Sequence, residues 1–329
     1  MQRSLHILAS GLAAALLLLT LAGYAGRWSA VFEITSAFRL HLAVVAGGFG
    51  IVLGLLKLRR GAGLALLAAL IAAAGLGPVL TAPPPLGAGV AKNGRPLTVL
   101  YGNLRDYNRQ TQALGVTLRA TDADILITSE TLLTVAGAIG KLREHYPFRQ
   151  LNPTAQWNVR TAIWSKYPLL GGDLYLNNTV APTAATAVAD LGGGLLVGLI
   201  GAHFSRPSEG LRQVQAEALG PMAVELGKTQ SGRAEPARPL IVAGDFNAPP
   251  WSWVATRAAE VTGTRIIGGH RITWKGHYET PLGLLPEPWG HQIDQMLLSP
   301  EIGVETVETL ELPGSDHLGL LVRLRIPAR

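Results

Sequence analysis

Apolar positions are distributed very differently in the two parts of this 329-residue chain. The first part holds three nearly unbroken apolar stretches: HILASGLAAALLLLTLAGYAG from His6, HLAVVAGGFGIVLGLL from His41 and GAGLALLAALIAAAGLGPVL from Gly61. Each approaches the roughly 20 residues that cross a bilayer core, the second being short. The small residues Ala-Gly-Tyr-Ala near the end of the first would also suit a cleaved signal peptide. Two further apolar stretches favour an uncleaved anchor, so residues 1–82 are expected to form three transmembrane helices. The glycines of the second stretch lack the Lys-Ser/Thr ending and the preceding strand of a phosphate loop. They suit a helix-packing face.

From residue 97 onward the pattern breaks into short runs. PLTVLYGNL, ADILITSE, RTAIWS, TAATAVADL, LLVGLIGAHF, LIVAGDFN, IDQMLLS and LGLLVRLRI have strand character. Helical periodicity of three and four covers 108–120, 208–226 and 253–261. Gly192, Gly193 and Gly194 predict a tight hairpin turn, and the polar stretch 228–238 a surface loop. Residues 97–329 are therefore expected to form one α/β domain, with two mixed sheets packed face to face and flanked by helices in four layers. Between the two parts, 83–96 is rich in proline and glycine and reads as a linker that keeps the domain within a few tens of Å of the bilayer.

Charge changes this picture in one respect. Arg3, Arg27, Arg39, Lys57, Arg59 and Arg60 face Glu33 alone in residues 1–83, leaving 22 basic against 21 acidic residues in the remainder. The high pI belongs to the membrane end, and nothing in the balance of the second part argues for a nucleic-acid-binding surface. Lys57, Arg59 and Arg60 make the most basic loop, on the same side as Arg3 two crossings earlier, so that side is expected to be cytoplasmic. Three crossings then carry the domain outside, although Arg27 and Arg39 run against this order. The absence of cysteine permits an oxidising compartment.

Polar residues recur where strands end. Asn103, Glu130, His203, Asp245 and Asn247 follow apolar runs, while Asp294, Asp316 and His317 precede them. A site at one edge of a sheet requires such placement. Cysteine nucleophiles, a G-x-S-x-G elbow and zinc signatures are all missing. The oxygen-rich remainder suits a hard cation: Glu130 and Asp316 with Asn103 for Mg²⁺, or Mn²⁺ in its place. Asp245 could orient a water, and Asn247, His203 and His317 could hydrogen-bond a phosphoryl group. His145, His270, His277 and His291 carry no motif and are expected to be surface or core residues.

The ordered segments LYGNLR, ILITSET, TAIWSKYPL, GAHF, IVAGDFNAPPWS, ITW, IDQMLLS and GSDHLGL together resemble the endonuclease/exonuclease/phosphatase superfamily, with the fold of pancreatic deoxyribonuclease. The resemblance implies that Glu130 is the main Mg²⁺ ligand, helped by Asn103 and Asp316, and that Asp245 aligns or deprotonates the attacking water. It further implies that Asn247 steadies the phosphoryl oxygens, that His317 contacts the phosphate with its tautomer held by Asp294, and that His203 fills a phosphate-binding position. TAIWS departs from the glycine-containing pattern of many members, a difference expected to touch specificity near Arg160.

Members of this superfamily cleave DNA, RNA, inositol phosphates and sphingomyelin with nearly the same residues, so the fold does not choose a substrate. A three-span anchor with an outward domain resembles bacterial membrane proteins linked to teicoplanin resistance, which implies a lipid-linked phosphate or pyrophosphate. A tethered nuclease is the first alternative, with Arg143, Arg149 and Arg160 as its local basic cluster. A non-catalytic membrane binding module is the second, disfavoured by the intact set Glu130, Asp245, Asn247, Asp294 and His317.

Overall fold

The computed structural model describes residues 2–80, 94–131, 142–151, 161–175, 181–237, 239–275 and 290–327. Most of the linker, Arg160 and His277 lie outside the described residues.

Four helices open the chain: α1 (Gln2–Ala22), α2 (Ala30–Ser36), α3 (Arg39–Leu55) and α4 (Arg59–Leu80). Two helices, α1 and α4 over Arg59–Gly77, are each long and apolar enough to cross a membrane. The short second stretch is the 17-residue α3, which qualifies only together with α2, bent away from it by 64°. The anchor thus has two or three candidate spans. Gly50 lies so close to α4 that a Cβ would meet Leu66 Cγ at 2.8 Å, as expected of a helix-packing face.

The start of α3 and the end of α4 both meet the following domain. Arg39 donates to the carbonyls of Gly23 at 3.0 Å and Trp251 at 3.1 Å, and Gly269 N–H donates to Val79 O at 2.9 Å. At the opposite end, Ala9, Leu53, Leu58 and Ala62 form a separate cluster beside the basic turn. The domain is therefore docked directly on its helices, closer than a linker alone would hold it.

Two sheets form the domain. The strands of the first are β1 (Arg95–Asn103), β2 (Ile125–Ser129), β3 (Phe148–Gln150), β4 (Thr161–Ser165), β12 (Gly303–Glu311) and β13 (Leu318–Ile326), in the order β12-β13-β1-β2-β4-β3. The second sheet has β5 (Leu169–Leu170), β6 (Leu174–Tyr175), β7 (Thr183–Asp190), β8 (Leu196–His203), β9 (Leu240–Asp245), β10 (Arg265–Ile266) and β11 (Asp294–Leu298). Its order is β10-β11-β9-β8-β7-β5, with β6 also on β7. Both sheets are mixed, since β1–β2 and β8–β9 run parallel among antiparallel pairs.

Alternation along each strand decides what lies between the layers. Val99, Tyr101, Ile125 and Ile127 meet Leu199, Ile241, Ala243 and Met296 in the core between the sheets. The intervening residues point outward: Leu100 and Leu126 pack under α5 (Thr111–Ala120) and α6 (Leu142–His145), Val242 and Ile200 under α7 (Arg212–Ser231) and α8 (Trp253–Thr262). Strands covered on both faces read as near-continuous apolar runs, as these do. Each such branched side chain contributes roughly 1.5–3 kcal/mol on burial. The expected four layers are present.

Three boundaries differ from expectation. Residues 207–209 form a separate 3₁₀ turn, and α7 runs through Ser231 into the stretch predicted as loop. Gln230 Nε2 donates to Leu196 O at 2.6 Å, holding that last turn to β8, before Gly232 at φ 74° ends it. Strand β1 begins inside the predicted linker. No apolar run signals β12, a half-exposed edge strand that interleaves glutamates and threonines with its apolar positions.

Candidate active site

Strand register assembles the site. In the second sheet His203 pairs with Asp245 across β8–β9, and Asp294 pairs with Asp245 across β11–β9. Asp245 is thereby flanked on both sides at the strand ends. In the first sheet Asn103 ends β1, Glu130 follows β2, and Asp316 with His317 precede β13, which pairs with β1. Because the sheets are stacked, the two sets meet: Asn103 Nδ2 donates to Glu130 Oε1 at 3.2 Å and, across the interface, to Asp245 Oδ2 at 3.1 Å.

Backbone strain accompanies this convergence. Glu130 has φ 53° and Asn247 φ 49°, values that non-glycine residues seldom adopt and that concentrate at functional sites. Asp106 N–H donates to Glu130 Oε2 at 3.0 Å. Asn247 N–H donates to Asp245 Oδ1 at 2.8 Å, and its side-chain amide donates to Phe204 O at 3.0 Å.

Asp245, Asp294 and His317 lie with ligating atoms within 4.8 Å of one another. His317 Nδ1 is 2.9 Å from Asp294 Oδ2 and its Nε2 is 3.8 Å from Asp245 Oδ2. Burial alone would lower the imidazole's pKa, but Asp294, then Asp245 and Asp316, outweigh it and push it up to about 10. Asp245 is pushed up to about 6 by burial and by Asp294, against the pull of His317 and His203. The trio is a group able to hold a cation, and Glu130 and Asp316 are further candidate ligands. Both line the same cavity of about 890 Å³ and offer hard oxygen donors. Asn103 turns its NH₂ to the carboxylates and its oxygen to Arg105 N–H at 3.0 Å, bracing Glu130 against Asp245.

His203 stands 3.7 Å from Glu130 Oε1 and 3.8 Å from Asp245 Oδ2, facing the same cavity. All eight candidate residues are thus gathered at one edge of the sandwich. His145 instead pairs with Asp122 at 3.2 Å and His270 stacks on Trp251, as residues without motif support should. His291 is buried yet lines the cavity. Trp164 of TAIWS donates to Thr128 Oγ1 at 3.3 Å in the core under the first sheet, away from the cavity. Arg143 and Arg149 are exposed on α6 and the outermost strand β3 and contribute nothing to the cavity lining.

Several supporting residues escaped sequence reasoning. Trp274 Nε1 donates to Asp316 Oδ2 at 3.2 Å, and Thr273 Oγ1 accepts from Asp294 N–H at 3.1 Å. Ser315 Oγ donates to Asn103 O at 2.7 Å, tying β1 to the His317 turn. Arg212, buried, donates to Asn247 O; burial holds its pKa below the usual range. The ITW segment was a usable signal for Thr273 and Trp274. Arg212 sits at a helix start with none.

A phosphoesterase centre is the chemistry that such a fold and donor set define, and the sequence agrees: residues 99–317 match the endonuclease/exonuclease/phosphatase family. The chain belongs to that family and is a metal-dependent hydrolase of phosphoester bonds. Its fold is similar to that of the endonuclease/exonuclease/phosphatase from Bacteroides vulgatus, at 17% identity and TM-score 0.54 over 71% of this chain and 100% of that one. Sphingomyelinase C from Streptomyces griseocarneus is similar at 15% identity and TM-score 0.52, covering 70% and 99%. A mutant of beta toxin from Staphylococcus aureus, solved with bound magnesium ions, is similar at 13% identity and TM-score 0.50, covering 71% and 100%. Among curated proteins none matches the sequence.

Proposed function

We propose that this protein is a membrane-anchored, Mg²⁺-dependent phosphoesterase that hydrolyses a lipid-borne phosphate ester or pyrophosphate at the extracytoplasmic face. One observation carries the reading. The cavity that gathers Glu130, Asp245 and His317 is also lined by Ile34, Ala37 and Phe38 of the apolar N-terminal segment. A site built against membrane helices favours a substrate held in the same membrane. The basic turn at Lys57, Arg59 and Arg60 lies at the far end of those helices from the domain, which supports an outward-facing site.

Glu130 and Asp316, with Asn103 as brace, would hold Mg²⁺ or Mn²⁺, which when bound supplies charge neutralisation at the phosphate oxygens. Asp245, with a pKa of about 6, is mostly ionised at neutral pH and still basic enough to take a proton from water. His317, held protonated by Asp294, donates to a phosphoryl oxygen, and Asn247 and His203 hold the others.

The direct test is inorganic phosphate release by full-length protein in detergent from an isoprenoid pyrophosphate, with Mg²⁺ and with chelator, beside a plasmid-nicking lane. Metal-dependent phosphate release without nicking is the expected result. Nicking without phosphate release would transfer the protein to the nucleases.

A further inference from the structure

The N-terminal helices do more than face the site. The elbow between α2 and α3 is pinned to the domain by contacts on several sides. Trp251 Nε1 donates to Ser36 O at 2.7 Å, Val254 N–H donates to Glu33 Oε1 at 3.2 Å, and Gln213 Nε2 donates to Gly26 O at 3.2 Å. Glu33 and Arg39, the charged residues of this elbow, are both buried. Buried charges persist only where they are partnered, so they fix the docking geometry.

From the elbow a continuous set of contacts leads to the catalytic carboxylates. The Phe38 ring meets His291 edge-on at 5.6 Å, His291 stacks on Trp274 at 6.0 Å, and Trp274 holds Asp316. The cavity therefore has two chemically distinct sides. Carboxylates with His203 and His317 make one, and Ile34, Ala37 and Phe38, with His291 against Phe38, make the other. The outer surface of the same segment exposes Trp28, Val31 and Phe32 in addition to Phe38. Exposed aromatic residues beside apolar spans mark a bilayer interface.

We infer that the α2–α3 elbow is a chain-binding subsite: Ile34, Ala37 and Phe38 receive the first apolar segment of the substrate next to its phosphate. The inference rests on the lipid reading above and deepens it. An amphiphile entering from the bilayer places its phosphate among His317, Asn247 and His203 while its chain runs over Phe38 toward the membrane. A water-soluble phosphoester has no use for that wall. The elbow residues are thus specificity-determining residues supplied by the anchor, and chain length is the property they read.

The test compares full-length wild type, Phe38→Ser and Phe38→Leu in detergent with Mg²⁺, on isopentenyl pyrophosphate and on farnesyl pyrophosphate, reading kcat and KM for phosphate release. Wild type is expected to prefer the longer chain. Phe38→Ser should lower the ratio of kcat/KM, long over short, at least about tenfold and mainly through KM, and Phe38→Leu should restore most of it. Ile34→Asn gives the same readout should Phe38→Ser fail to fold. An unchanged ratio, or equal losses on both substrates, overturns the subsite while leaving a pyrophosphatase. Failure of wild type to release phosphate from either compound, with activity on another phosphoester, overturns the lipid reading and the subsite with it.

Discussion

Asp294 holds His317 through one carboxylate oxygen, 2.9 Å from Nδ1, while its other oxygen is buried with no hydrogen-bond partner among the described residues. A buried carboxylate left half-satisfied is costly, and here the cost is offset by an imidazolium that Asp245 and Asp316 also stabilise. The pair sets the charge of the site before any substrate arrives.

Its contribution to stability depends on pH in a defined direction. The folded pKa of His317 is raised to about 10 from 6.5, so the stabilisation is complete below about pH 6.5 and is lost as pH rises through about 10. In chelator, the thermal midpoint of wild type should exceed that of Asp294→Asn most near pH 6.5, and the gap should close toward pH 10. A gap independent of pH would show that the pair is not ionic.

Asp245 and His317 are expected to act on the reaction itself. Asp245→Ala and His317→Ala should each lower turnover at least about a hundredfold, as for loss of a general base or an electrostatic stabiliser. Circular dichroism should confirm that both variants stay folded. Near-normal rates in both would remove them from the mechanism.

Cation dependence should follow Glu130. Chelation should abolish turnover and Mg²⁺ should restore it, and Glu130→Gln should raise the Mg²⁺ concentration for half-maximal rate by about tenfold or more. Titrating the rate against Mg²⁺ for both proteins checks this, and identical titration curves would exclude Glu130 as a ligand.

Gly244, one residue before Asp245, has a steric reason to be glycine. A Cβ there would meet Ala202 O at 2.0 Å and Ala202 C at 2.9 Å on the neighbouring parallel strand. Backbone atoms cannot swing aside, so Gly244→Ala should destabilise the fold by more than about 3 kcal/mol. Denaturant unfolding measures it directly, and a loss below about 1 kcal/mol would mean the strands separate easily.

Much of the architecture was readable along the chain because its signals are local. Short apolar runs marked β1, β2, β8 and β9, and G-D-F-N and S-D-H sat where polar groups emerge from apolar strands. Short or half-exposed edge strands such as β3, β10 and β12 were not readable, since their pairing is decided by neighbours and not by their own composition.

Residue order was enough to indicate the layered α/β domain and the identity of the residues at its strand ends, since apolar runs and turn chemistry act over a few positions. That Asp245 stands between His203 and Asp294 emerged only on folding, because register across separate strands has no signature within any one of them. Folding also brought Glu33 and Phe38 against Val254 and His291, more than 200 residues away. An apolar helix looks the same whether it faces lipid or a catalytic cavity, so burial in the folded chain had to choose between them.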